Sequence, residues 1–122
     1  MNPMAAMAAL AATGKLALQR CITCGTTQYP PRELCGVCLG DRLAWRVTDA
    51  EIGDVVAVTE LHHSHDAIFR NSLPLRIGLV QLGLGPTAVC FLADGCASGT
   101  RVRVTAHNDT AGRSVLRATA IP

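Results

Sequence analysis

The sequence predicts a mainly β protein built from an N-terminal helix, a cysteine ribbon stapled by a metal, and a small five-stranded barrel. Three observations predict it. An Ala- and Leu-rich stretch opens the chain. Two C-x-x-C pairs, Cys21/Cys24 and Cys35/Cys38, then stand ten residues apart. After Val47, β-branched runs alternate with turn signals at the spacing of about 8–12 residues expected of a small barrel or sandwich. With 122 residues, the chain is one domain, or a ribbon attached to one small domain. So short a chain buries a modest core, which makes a metal staple useful.

Residues 1–18 form the N-terminal segment, with a helix expected over 3–18. Asn2 can cap it, and Pro3 suits its first turn. From Met4 to Leu10 it is apolar nearly all round. Met4, Met7, Ala8 and Leu10, with Leu16 and Leu18 beyond them, are more apolar surface than a small ribbon can bury. The expectation is a helix that docks on another subunit, the alternative a frayed tail. No basic residue precedes the apolar run, so no signal peptide is expected. Gly, Pro and Arg interrupt every apolar segment before it reaches membrane-spanning length.

Residues 19–47 form the ribbon, which Leu16 to Arg20 enters as a short strand. Four thiolates at this spacing are the ligand set of a tetrahedral zinc site, with Cys21, Cys24, Cys35 and Cys38 as ligands. Gly25 and Gly36 let the chain turn tightly beside the sulfurs. Tyr29-Pro30-Pro31-Arg32 supplies a stiff return arm. The alternatives are two disulfides or a redox pair. A redox motif comes singly near a βαβ pattern, which is absent here. Four cysteines saturate the metal, so the site is expected to be structural. Arg20, Arg32, Arg42 and Arg46 surround the segment and can offset its negative charge. Cys90 and Cys96 remain. They could pair, but Cys90 lies in an apolar run and reads as a small buried residue.

Residues 48–122 form the barrel. Glu51 to Asp54 reads as a turn into a strand from Val55 to His62. A loop over residues 64–73 follows. Strands are expected over 75–82, 87–93, 101–107 and 113–120, separated by Gly83-Leu84-Gly85-Pro86, residues 94–99 and residues 108–112. Five strands in so few residues suit an OB-type barrel, whose closure removes sheet edges.

Composition argues against several function classes. The net charge is +2, with 11 basic residues against 9 acidic ones. Single-strand binders need stacking aromatics and a basic groove. The aromatics here are Tyr29, Trp45, Phe69 and Phe91 alone. His62, His63 and His65 cluster at the end of a strand, and His63 and His65 would share a face. Without an orienting partner beyond Asp66 they lack a defined catalytic role. No catalytic residue is therefore assigned.

The run from Leu16 through the Tyr-Pro-Pro insert to Cys38, continued in Gly53-Asp54-Val55-Val56-Ala57-Val58-Thr59 and in Leu73 to Leu82, resembles a family of small proteins. Its members have an N-terminal helix, a rubredoxin-like zinc ribbon and a C-terminal OB-fold. The resemblance implies a non-catalytic subunit beside a thiolase-superfamily enzyme: a thiolase, an acyltransferase or a retro-aldolase. It implies acyl-CoA chemistry with any CoA at the partner enzyme, a hotdog-fold hydratase as a further associate of some members, and a cytoplasmic, hetero-oligomeric setting without membrane. The chain ends at Pro122, so contacts made by a C-terminal extension are not expected. The competing reading is a nucleic-acid-binding ribbon/OB module, which the scarcity of aromatics and the scattered basic residues disfavour.

Overall fold

The structure is a computed structural model and describes residues 3–61, 75–109 and 112–121. The helix α1 (Pro3–Ala11) is shorter than the expected 3–18. Its end is set by Gly14, which takes φ 80°, a left-handed position that costs glycine nothing. Gly14 N–H donates to Ala11 O and Lys15 N–H to Leu10 O, the pair of bonds that closes a helix at a left-handed residue. Leu16 and Leu18 consequently belong to the first strand, as the strand expected from Leu16 to Arg20 has it, and not to the end of the longer helix.

That strand, β1 (Leu16–Cys21), is the centre of a three-stranded antiparallel sheet between β2 (Thr27–Gln28) and β3 (Leu43–Thr48). Pairing runs from Leu16↔Thr48 to Cys21↔Leu43 on one side and includes Gln19↔Gln28 on the other. Five more strands follow: β4 (Glu51–Leu61), β5 (Leu75–Leu82), β6 (Thr87–Leu92), β7 (Arg101–Asn108) and β8 (Ser114–Ala120). They close a barrel in the order β4-β5-β6-β8-β7, with β7 returning to β4. Every pair is antiparallel except β6 with β8. Numbered within the barrel, the order is one-two-three-five-four, the partly Greek-key closure of an OB-type barrel.

Glu51 to Asp54, expected as a turn, is the first half of β4. It pairs with β7 from Glu51↔Val104 to Asp54↔Arg101. The acidic residues and glycine that suggest a turn have other roles. Glu51 is nearly buried and accepts hydrogen bonds from Arg46 Nε at 3.1 Å and Thr48 Oγ1 at 3.0 Å. At Gly53 a Cβ would stand 2.7 Å from Gln81 O, and at Gly78 it would stand 2.7 Å from Ala57 O. Both glycines let the strands of a small barrel cross closely, next to the irregularity between Val55 and Ala57.

Alternate residues of β6 to β8 point inward, among them Ala88, Cys90, Val102, Val104, Ala106, Leu116 and Ala118. Met7 and Ala11 of α1 and Leu16 and Leu18 of β1 join the same core, and Tyr29 and Trp45 pack against it. Asn108 Nδ2 donates to Ala8 O at 3.0 Å and fastens α1 to β7. The expected docking face is thus largely used within the chain. Met7 is 1% exposed, against 45% for Met4. The apolar surface that looked excessive for a ribbon covers the barrel instead. Cys90 and Cys96 are buried free thiols, not a disulfide, and burial pushes Cys90 up to about 12. His62, His63 and His65, and the loop over 64–73, lie outside the described residues. Among the described residues, no helix is long and apolar enough to cross a membrane.

Candidate metal centre

The first C-x-x-C pair begins as the last residue of β1. Cys21 lies opposite Leu43 of β3, so this knuckle hangs directly from the sheet. Its turn is closed by Gly25 N–H donating to Cys21 O and Cys21 N–H donating to Thr26 O. Gly25 takes φ 78°, which an L side chain resists. The second pair lies in the connection between β2 and β3. There Cys35 N–H donates to Gly40 O and Leu39 N–H to Cys35 O. The left-handed position of this turn is filled by Leu39, with φ 61°.

These turns bring four sulfurs together. The Sγ atoms of Cys21, Cys24, Cys35 and Cys38 all lie within 4.8 Å of one another. Cys21 to Cys38 is 3.5 Å and Cys24 to Cys35 is 3.6 Å. Four sulfurs held about 2.3 Å from one zinc in a tetrahedron stand about 3.8 Å apart. The arrangement therefore fits a zinc ion, and the four cysteines are positioned to bind one. Cys21 and Cys35 are buried, Cys24 and Cys38 exposed.

The protonation pattern shows why a cation belongs there. The Thr26 hydroxyl, 3.1 Å from Cys24 Sγ, and then the Thr26 backbone hold Cys24 down to about 6. Cys21 is lowered as well, first by the Cys24 backbone N–H. At Cys38 the Gly40 backbone N–H acts downward, but the neighbouring sulfurs, Cys21 foremost, together with burial raise it to about 12. Sulfurs this close cannot all ionise without a positive charge among them. A divalent cation removes that conflict. Arg20 and Arg32 stand beside the knuckles, near Gly25 and Gly36 respectively. Arg46 is engaged elsewhere, with Glu51.

Two residues that the cysteine pattern does not announce complete the site. Gln19, 5% exposed in the middle of β1, donates from Nε2 to Arg32 O at 2.7 Å. Its Oε1 accepts from Arg32 N–H at 2.8 Å and from Gln28 Nε2 at 2.6 Å. Gln28 also donates to Leu34 O at 3.2 Å and accepts from Gly36 N–H at 3.0 Å. One signal was available: a glutamine inside Leu16-Ala17-Leu18-Gln19 is a polar group in an apolar strand, and such groups need partners when buried. Tyr29 is half-buried against the barrel core, and burial, then Cys90, raises its hydroxyl.

No curated protein sequence matches this chain. Residues 8–44 match the family model of the ChsH2 rubredoxin-like zinc ribbon domain. A chain of an "Ltp2-ChsH2(DUF35) aldolase" superposes with a TM-score of 0.76 at 23% identity, covering 95% of this chain and 92% of that one. A protein of unknown function from the DUF35 family of Sulfolobus solfataricus superposes with a TM-score of 0.63 at 15% identity, over 97% and 82% of the two chains. Residues 8–44 are thus a rubredoxin-like zinc ribbon of the ChsH2 type, carried on a chain that shares the fold of these DUF35 structures.

Proposed function

We propose that this chain is a non-catalytic subunit that binds one structural zinc through Cys21, Cys24, Cys35 and Cys38. On this reading it assembles with a thiolase-superfamily enzyme acting on acyl-CoA. The observation that carries the reading is the likeness along almost the whole chain to a ChsH2(DUF35) chain found in an aldolase with Ltp2. The four-sulfur set agrees with it, because four cysteine ligands leave no open position for a substrate. When bound, zinc supplies positive charge and a cross-link between the two knuckles. The residues around it set their shape: Thr26 steadies Cys24, Gly25 and Leu39 complete the turns, and Arg20 and Arg32 balance the negative charge.

Exposed apolar side chains support a docking surface on the knuckles and the barrel. Ile22, Val37 and Leu39 project from the knuckles, where they are 59%, 71% and 72% exposed. On the barrel, Leu79 and Val89 are cross-strand partners that both face out. Apolar surface of this kind marks interaction sites. Met7, Leu16 and Leu18 are buried in the chain's own core, which leaves Met4 as the exposed large apolar residue of the helix and favours these surfaces as docking elements beside it. A hotdog-fold hydratase is a second associate consistent with the same family resemblance.

The test is co-expression with the thiolase-like enzyme of the same host, followed by size-exclusion chromatography and acyl-CoA turnover. The expected result is a stable complex in which turnover needs both chains, with no turnover by this chain alone. Val37→Asp with Leu39→Asp should weaken assembly and leave the zinc in place. A chain that ignores the enzyme but binds single-stranded nucleic acid at moderate salt would overturn the reading.

A further inference from the structure

The two knuckles are anchored in different ways. The first continues β1 and is held by the sheet through Cys21↔Leu43 and by Ile22 N–H donating to Arg42 O. The second lies in a connection without strands, between Gln28 and Leu43. What ties its stretch from Arg32 to Gly36 to the sheet, besides the sulfurs, is the pair of hydrogen-bonded amides on β1 and β2. Gln19 takes both backbone groups of Arg32, and Gln28 takes Leu34 O and Gly36 N–H, one group on either side of Cys35. The two amides are also bonded to each other across the register pair Gln19↔Gln28.

Glutamine suits this task because its amide offers a donor and an acceptor at the same end. Gln19 uses both on a single residue, Arg32, and Gln28 uses both on the peptides that bracket a ligand, Cys35. A charged carboxylate could not donate to Leu34 O or Arg32 O, and an apolar residue could make none of these bonds. Both partners of each of these bonds are protein groups.

We infer that Gln19 and Gln28 form a clamp that holds the second knuckle in ligand geometry whether or not the metal is bound, making both positioning residues for the zinc site. This deepens the zinc reading above and rests on it for its metal consequence. Residues that orient ligands from behind affect metal affinity by about 10–100-fold when removed. The clamp also predicts that losing the metal does not release this knuckle completely. Residues around Cys35 keep their amide bonds, while the outer turn through Val37 and Leu39 loses its anchor.

The test uses the full chain and the variants Gln28→Ala and Gln28→Glu. Gln28 is partly exposed and lies outside the core, so both variants should fold, which the far-ultraviolet circular dichroism of the barrel checks. Gln19→Leu removes the buried half and is reserved for comparison. Zinc affinity is measured by competition with a chromophoric chelator, and amide exchange is followed at Gly36 in the metal-free and zinc-loaded chains. In the metal-free wild type, Gly36 should remain protected; in Gln28→Ala that protection should vanish. Zinc affinity should fall about tenfold or more in Gln28→Ala. Gln28→Glu, which keeps the acceptor for Gly36 N–H, should retain part of the protection. A Gln28→Ala chain with affinity within about twofold of wild type and unchanged Gly36 exchange would overturn the clamp. If the wild type takes up no zinc, the zinc reading fails, and Gly36 exchange in the metal-free chain still decides the clamp.

Discussion

The barrel and the cysteine end of the ribbon solve the same problem with different materials. The barrel buries Val80, Leu82, Val102, Val104 and Leu116 completely and is held by an apolar core to which α1 and the start of β1 contribute. At the far end of the ribbon the buried groups are Cys21, Cys35, Gln19 and Pro31, while Ile22, Val37 and Leu39 face outward. Pro31 apart, little apolar side chain is buried there. Four sulfurs and two amides stand where side-chain packing would otherwise be. The barrel should therefore answer to changes in volume, and the knuckles to changes in ligands and protons.

The largest expected effect is at the knuckles. Cys35→Ser should reduce zinc from one ion per chain to a small fraction by elemental analysis, because a structural zinc contributes roughly 10 kcal/mol or more of apparent binding energy. Hydrogen exchange should rise at Ile22 to Gly25 and Val37 to Leu39, while the barrel strands keep their protection. Full zinc occupancy in this variant would break the contrast at once.

Acid should act next, and on the knuckles alone. Zinc binds thiolates, so protons compete with it. Cys38 sits at about 12 in the metal-free cluster and must give up its proton to zinc throughout the neutral range. Affinity should therefore fall by roughly tenfold for each pH unit lost there, per proton displaced. Below about 6, where Cys24 also takes up its proton, the slope should steepen. Chelator competition between pH 8 and 5 measures it, and a flat profile would remove the protonation argument.

Volume changes should strike the barrel alone. Leu116→Ala removes a fully buried side chain and should cost about 2–5 kcal/mol in urea unfolding, with zinc content unchanged. Gly78→Ala places a methyl against Ala57 O and Leu92 and should cost about 1–3 kcal/mol. If either change released the metal, the two regions would be one cooperative unit and the comparison would need revision.

How much could be read from the sequence follows the same division. The cysteine spacing is a direct signature of ligand geometry, and the sulfurs do converge. Val102, Val104 and Ala106 alternate in the sequence and in the barrel. The helix end was harder. Thr13-Gly14 is a stop signal, but Leu16 and Leu18 continue the apolar character of the helix, and burial against the barrel, a long-range fact, decides their strand state. Glu51 and Gly53 looked like turn residues because local preference cannot foresee an Arg46 partner or a strand crossing 2.7 Å from a missing Cβ. The amide clamp was nearly invisible, since Gln19 and Gln28 become neighbours only once β1 and β2 pair.

The docking of α1 has a bearing on how the chain is made. The helix and β1 leave the ribosome well before β7 and β8, yet β7 and β8 are among the surfaces that pack on α1 and β1. Ala8 waits for Asn108, a hundred residues later. Throughout synthesis the most apolar segment of the protein is without its cover, while the four cysteines, all within residues 21–38, emerge together and can close on a metal early. The ribbon can thus be set before the barrel exists, and the newly made helix is the part that most needs a chaperone's protection until the last strand arrives.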